Sequence, residues 1–458
     1  MRPDPPELPS SSLSGPPLVR TASRWQIVGL AINDVVGSGV YLLPAAAAAL
    51  LGPSSFWAVA VAGLAVLLVV LCFAEASSYF DQPGSAYLYA RTAFGDLIGF
   101  EVGWMTWLTR VASLASLIVA FAQAVSYLDA SFGAGLPRGL LIVATLAGLT
   151  LVNIVGVRSG IRLAVFLAVA KLVPLALFVV VGLPAFSRSL AASQAAVGPD
   201  STGHLGQAAL LLLYAYAGFE NTPAAAGEYR NPRRDVPFAL LTQLGLVTLL
   251  YMAVQGVALG TVPDLAASET PLADGARRFL GSWGGWLLTA GAAVSILGTT
   301  GNTVLAGPRY LWALARDGYG PRYLARVHPR FRTPAAAVLT QSLLALPLAL
   351  TGTFVELATL SVVARLVTYL GTAAALPVLR RQSLEDRPAR HGTPLAQEVA
   401  QEGGGTPHRS FRLPGGLTIP ILAALVTLGL AASAEARNLI AAVIALVVGL
   451  GVYALRRR

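Results

Sequence analysis

Charge is what this chain lacks most. Only 12% of its 458 residues are charged, against about 25% in a typical soluble domain, and its mean hydropathy is +0.67. A soluble globular domain is excluded, and a polytopic membrane protein is the class that remains. The basic balance, a net charge of +10 with a pI near 10, does not point to nucleic acid. That partner needs basic residues gathered on one folded face, whereas here they fall in short loops between apolar runs.

Reactive side chains are also scarce. The single cysteine, Cys72, lies inside an apolar run, so no intramolecular disulfide can form. The four histidines include His204 and His328, read as loop residues without metal-ligand spacing, so neither a metal site nor a cofactor is expected. A membrane-embedded enzyme would need a nucleophile–base pair or metal ligands within its spans, and the spans hold neither a histidine nor an acidic cluster. The first 24 residues are rich in proline and serine and lack an apolar h-region. They read as a disordered cytoplasmic tail rather than a signal peptide.

What is there is one apolar run after another. Charge-poor stretches separated by short polar loops give twelve expected spans, near 25–51, 56–79, 97–128, 139–157, 161–186, 205–227, 236–260, 282–314, 334–353, 355–379, 417–434 and 437–455. Spans three and eight exceed one bilayer crossing, which implies tilt or extension beyond the lipid. Arginine sets the orientation. With the amino terminus inside, 24 of the 31 arginines fall in cytoplasmic segments, and Arg138, Arg188, Arg277, Arg278 and Arg437 face outward. An even number of spans places the closing Arg456-Arg457-Arg458 inside as well. Arg110 and Arg365 lie within spans, and the sequence names no firm partner for either. The one long loop, Arg380 to Arg412, carries three successive glycines and several prolines and reads as a flexible cytoplasmic linker.

Two spans are interrupted. NDVVGSGVYLLP (residues 33–44) sets a carboxylate, Asp34, and the run Gly37-Ser38-Gly39 in the middle of span one. An acid in hydrocarbon is costly, and each glycine weakens a helix by about 1 kcal/mol. YAYAGFENTP (residues 214–223) repeats the combination in span six with Gly218 and Glu220. Spans one and six hold the same place in two successive sets of five, where transporters built from inverted repeats form a midplane site. Unwound backbone offers unpaired N–H and C=O groups, and a half-helix N-terminus carries partial positive charge. A carboxylate and an ammonium can then be held without charged side chains. The alternative, glycines as small-residue helix contacts, explains one interruption more easily than two matched ones.

Five segments, in this order, carry a family resemblance: VVGSGVYLLP (35–44), PGSAYLYARTAFG (83–95), GFENTPAAAGEYRNPRRDVPFAL (218–240), ARLVTYLGTAAALPVLRR (364–381) and FRLPGG (411–416). On these the chain resembles the amino acid–polyamine–organocation superfamily of transporters. The resemblance implies an all-α membrane protein with the leucine-transporter fold: five plus five helices in inverted repeat over 25–379, a linker over 380–416, then two peripheral helices and a basic tail over 417–458. It also implies that the amides of Ser38, Gly39 and Val40, next to Gly37, receive a substrate α-carboxylate, and that carbonyls near Gly218 take the α-ammonium. Tyr214 matches an aromatic lid and Phe219 a pocket-lining position, with simple packing as the alternative for both.

Asp34 departs from the neutral residue usual in the family. It reads as a partner for a substrate amine, as a proton carrier, or as a protonated acid supporting close helix contacts. Glu220 matches a glutamate linked to proton sensing and gating in related exchangers. Two acids in one cavity repel, so at least one is expected to hold its proton at neutral pH. Lys171 is the only lysine, and it sits about 13 Å along a helix from Arg162, too deep for easy snorkelling. AVAKLVP (168–174) resembles the segment in which sodium-independent members place a lysine at the sodium position, with Ser295 and Thr299 of span eight as candidate partners. Glu75 is expected near the interface. Pro83, Gly84 and Gly95 are expected to flank a short helix supporting an inner gate.

The expectation is a secondary active transporter of amino acids in the cell (inner) membrane, multi-pass with both termini cytoplasmic. It would be proton-coupled, sodium-independent and alternate its access around spans one and six. An exchanger of cationic amino acids or polyamines is the alternative, because Asp34 and Glu220 favour a cation. A channel is disfavoured, since channels place rings of carbonyls or charges around a symmetric pore. The expected partners are an amino acid or related amine, protons and the lipid bilayer, with no nucleic acid.

Overall fold

The computed structural model describes residues 23–80, 85–155, 161–195, 204–224, 226, 229–391 and 411–455, with the backbone alone for 161–168, 187–195 and 383–391. Residues 1–22 of the expected tail, Pro83 and Gly84, the linker over 392–410 and the closing arginines lie outside the described residues.

Every regular element among the described residues is helical. Span one is two helices, α1 (Arg24–Val35) and α2 (Gly39–Leu51), and a 3-10 turn (Gly52–Ser54) leads into α3 (Ser55–Ser78). A short α4 (Ser85–Phe94) precedes α5 (Asp96–Ser126), α6 (Gly135–Val155) and α7 (Ile161–Ala195). Span six is again split, into α8 (Leu205–Tyr216) and the single turn α9 (Asn221–Ala224). Then come α10 (Pro232–Thr261), α11 (Pro271–Arg316), α12 (Ala335–Thr351), α13 (Phe354–His391), α14 (Thr418–Ala432) and α15 (Ala436–Ala454). Among the described residues, eight helical stretches are long and apolar enough to cross a membrane, counting α2 and α3 as one; α12 and α14 are shorter apolar helices.

One boundary agrees with the sequence expectation and one differs. Helix α11 kinks at Gly281 (φ 69°, ψ −164°), just before the expected start of span eight at 282. Helix α13 continues to His391, past the expected boundary at 379.

α5 runs through the centre, in contact with α11, α12 and α13, while α3 packs along α10. Large apolar side chains are exposed on many helices, among them Leu151, Val180, Leu249, Leu343 and Val447. Such an apolar exterior would be a liability in water and suits a lipid surface. Polar groups lie inside, as the cost of placing them in hydrocarbon requires.

Glu75 corrects an expectation. It is fully buried rather than interfacial. Its carboxylate accepts from Arg380 Nε (2.7 Å) and Nη2 (2.6 Å), from the Tyr79 hydroxyl (2.9 Å) and from the Leu413 amide (2.9 Å). The FRLPGG segment is thereby tied to α3 and α13, and Arg380 also donates to the Gly416 carbonyl.

Candidate functional site at the two helix breaks

The first break opens because α1 stops at Val35 and Val36 is extended (φ −72°, ψ 96°). The first amides of the next segment with a backbone acceptor are those of Tyr41 and Leu42, each 3.1 Å from the Ser38 carbonyl. The amides of Gly37, Ser38, Gly39 and Val40 are left as donors without a backbone partner among the described residues. They sit at the N-terminus of α2, where the partial charge is positive.

On the carbonyl side the break is held by Lys171 of α7. Its ammonium donates to the carbonyls of Asn33 (2.8 Å) and Val36 (2.9 Å), and the residue is 1% exposed. Ser295 of α11 donates to the same Val36 carbonyl at 3.4 Å. Thr299 is placed differently. Its hydroxyl donates within α11 to the Ser295 carbonyl (3.0 Å), while its side chain lies against Gly37.

The second break begins at Ala217 (φ −66°, ψ 145°) and turns at Gly218, whose φ of +119° favours glycine. The two breaks touch. A Cβ on Gly218 would lie 2.6 Å from the Asp34 carbonyl oxygen, and one on Gly39 would lie 2.7 Å from Ala215 Cα. Between them stands Tyr251 of α10, its hydroxyl 2.9 Å from the Ala215 carbonyl and 3.3 Å from that of Val35. The small-residue contact and the unwound backbone are therefore properties of the same glycines.

Five charged side chains gather here. Asp34 accepts from Asn302 Nδ2 at 3.1 Å and lies beside Asn221 and Lys171. Glu220 is buried and accepts the Gly218 amide at 3.0 Å. The same carboxylate is 3.3 Å from Arg365 of α13 and 3.8 Å from Arg110 of α5. These are the partners that the sequence left unnamed. Arg110 also donates to Asn221 Oδ1, which links the two acids through one amide. The sequence weighed two acids against each other; the fold sets three cations around them.

The aromatic residues divide. Tyr214 places its hydroxyl 3.5 Å from Ser38 Oγ and its ring edge-on to Phe354. Phe219 is 1% exposed and packed against Phe73 and Tyr369. Asp34, Asn221, Thr299 and Asn302 are only partly buried, whereas Ser38, Val40, Tyr214 and Glu220 are covered. Sequence reasoning missed Asn221, Tyr251 and Asn302. Tyr251 is a lone hydrogen-bonding side chain in an apolar run, whereas Asn221 and Asn302 stand among other polar residues; each is visible in the sequence but without an address.

Residues 23–450, which span both breaks and almost every described helix, match the amino acid permease family. The chain belongs to that family. It is a transporter family rather than an enzyme family, and the permease is a multi-pass membrane protein. Relatives include the methylthioribose transporter of Bacillus subtilis (strain 168), 27% identical over 96% of this chain and 94% of that one. The serine/threonine exchanger SteT of the same organism is 29% identical over 80% of this chain and 84% of its own. Human cationic amino acid transporter 4 is 29% identical over 87% of this chain and 67% of its own.

Proposed function

We propose that the permease is a secondary active transporter of amino acids, sodium-independent and proton-coupled, which alternates its access around the breaks in spans one and six. Its twelve spans form a five-plus-five inverted repeat followed by two peripheral helices, in the cell membrane with both termini cytoplasmic. This function rests above all on the free amides of Gly37 to Val40, which lie beside a second unwound segment whose Gly218 rests on the Asp34 carbonyl. Backbone donors at a helix N-terminus suit an α-carboxylate, and nearby carbonyls suit an α-ammonium.

Coupling is assigned to Lys171. Its ammonium holds two carbonyls of the first break, where a sodium ion would otherwise be coordinated by oxygen. Gain or loss of its proton changes how firmly α1 is held to α7, and that biases the opening of the cavity. The charged group beside it is Asp34, which Arg110 also faces electrostatically; Ser295 shares its acceptor. The names of two relatives, an exchanger of serine and threonine and a cationic amino acid transporter, support an amino acid substrate and leave exchange as the second reading.

The test is counterflow in liposomes with the purified permease. In liposomes preloaded with an excess of unlabelled amino acid, a carrier transiently accumulates labelled amino acid from outside. A channel dissipates the gradient without that overshoot, and such a result would reject the carrier reading.

A further inference from the structure

The charges at the breaks do not balance. While Lys171 holds its proton, Arg110, Lys171 and Arg365 stand against Asp34 and Glu220, an excess of one cation in a cluster that is buried except at Asp34. Guanidinium groups keep their protons, so the two arginines cannot relieve it by deprotonating. Tyr310 interacts with Arg110 and Tyr369 with Arg365 through their hydroxyls, but as phenols they bring no counter-charge. The hydrogen-bonding capacity of the arginines is not used up either. Among the described residues, Arg110 Nε, Arg365 Nε and Arg365 Nη1 have no hydrogen-bond partner, although Arg110 is 5% exposed and Arg365 3%. The Arg365 Nη1 contact with Glu220, at 3.3 Å, is an ion pair only. One carboxylate is shared by two guanidiniums, each of which can take a carboxylate on its own fork.

An unpaired buried cation is costly, and the cost falls when an anion arrives. A zwitterionic amino acid brings no net charge, and a cationic one adds to the excess. A substrate with a second carboxylate supplies the missing charge and the missing acceptors together. The position fits, because Arg110 is bonded to Asn221 and Arg365 is paired to Glu220, both next to the Gly218 turn.

We propose that Arg110 and Arg365 form the side-chain end of the substrate site and that the permease takes acidic amino acids, with the substrate's second carboxylate placed between the two guanidiniums beside Glu220. This rests on the transport reading above and reverses the preference for cations that Asp34 and Glu220 suggest in the sequence alone.

The experiment uses the full-length purified permease with L-glutamate, L-aspartate, L-glutamine, L-serine and L-arginine, read by thermal stabilisation and by counterflow in liposomes. The acidic amino acids are expected to stabilise most and to drive counterflow, with L-glutamine roughly tenfold weaker than L-glutamate, since it keeps the shape and loses the charge. Arg365→Gln is expected to remove that glutamate-over-glutamine ratio. If that variant does not fold, Glu220→Gln provides the second reading: it removes the competing carboxylate and should raise the ratio. A preference for glutamine, serine or arginine in the wild type overturns the acidic assignment while leaving amino acid transport intact. No stabilisation or counterflow by any of the five overturns both.

Discussion

The Asp34 carbonyl oxygen occupies the place where Gly218 would carry a side chain, 2.6 Å from an ideal Cβ. Neither backbone has room to retreat, because Asp34 lies at the end of α1 beside the Lys171 anchor and Gly218 holds a positive φ. Gly218→Ala is expected to lower stability by about 1–3 kcal/mol through strain and steric conflict. It should also cut amino acid binding more than a comparable change at Gly245, where a Cβ meets nothing within 4 Å. Thermal melts with and without substrate check this, and equal behaviour of the two variants would show that the close approach does not matter.

Lys171→Met keeps much of the side-chain length and removes both bonds to the first break. It should abolish pH-gradient-driven accumulation, even where some exchange survives. Wild-type uptake should be the same in sodium and in choline buffers. Stimulation by sodium, or accumulation by the methionine variant down a proton gradient, would place coupling elsewhere, with Glu220 and Asp34 next to be tested.

Glu75→Gln removes the carboxylate that Arg380 grips through Nε and Nη2. Breaking a buried pair from one side costs about 3–5 kcal/mol, and the melting temperature should fall accordingly. Replacing both partners with apolar residues, Glu75→Leu with Arg380→Met, should recover part of the loss. A single variant as stable as the wild type would show that the latch contributes nothing.

Topology can be read without removing the native thiol, because Cys72 is fully buried. A cysteine introduced at Asp264 should react with an impermeant maleimide added outside intact cells, and one at Arg390 should not. The reverse pattern would invert the proposed orientation.

A helical membrane protein with interruptions at two places is legible in the order of residues alone, because both signals are local. An apolar run of sufficient length must satisfy its backbone within a helix, and the matched glycine-and-acid combinations at corresponding places in spans one and six mark the two breaks. Asp34, Gly37, Gly39, Gly218 and Glu220 stand out for that reason. What each charge faces is not legible there, because partners meet only through folding. Glu75 and Arg380 stand 305 positions apart, and the sequence placed the first of them at the interface. Glu220 reads as a free acid until α5 and α13 bring Arg110 and Arg365 to it. Gly39 reads as an amide donor, and the fold adds that Ala215 leaves it no space for a side chain. Coulomb energy depends on distance and on the dielectric around the charges, and both are set by tertiary packing rather than by position along the chain.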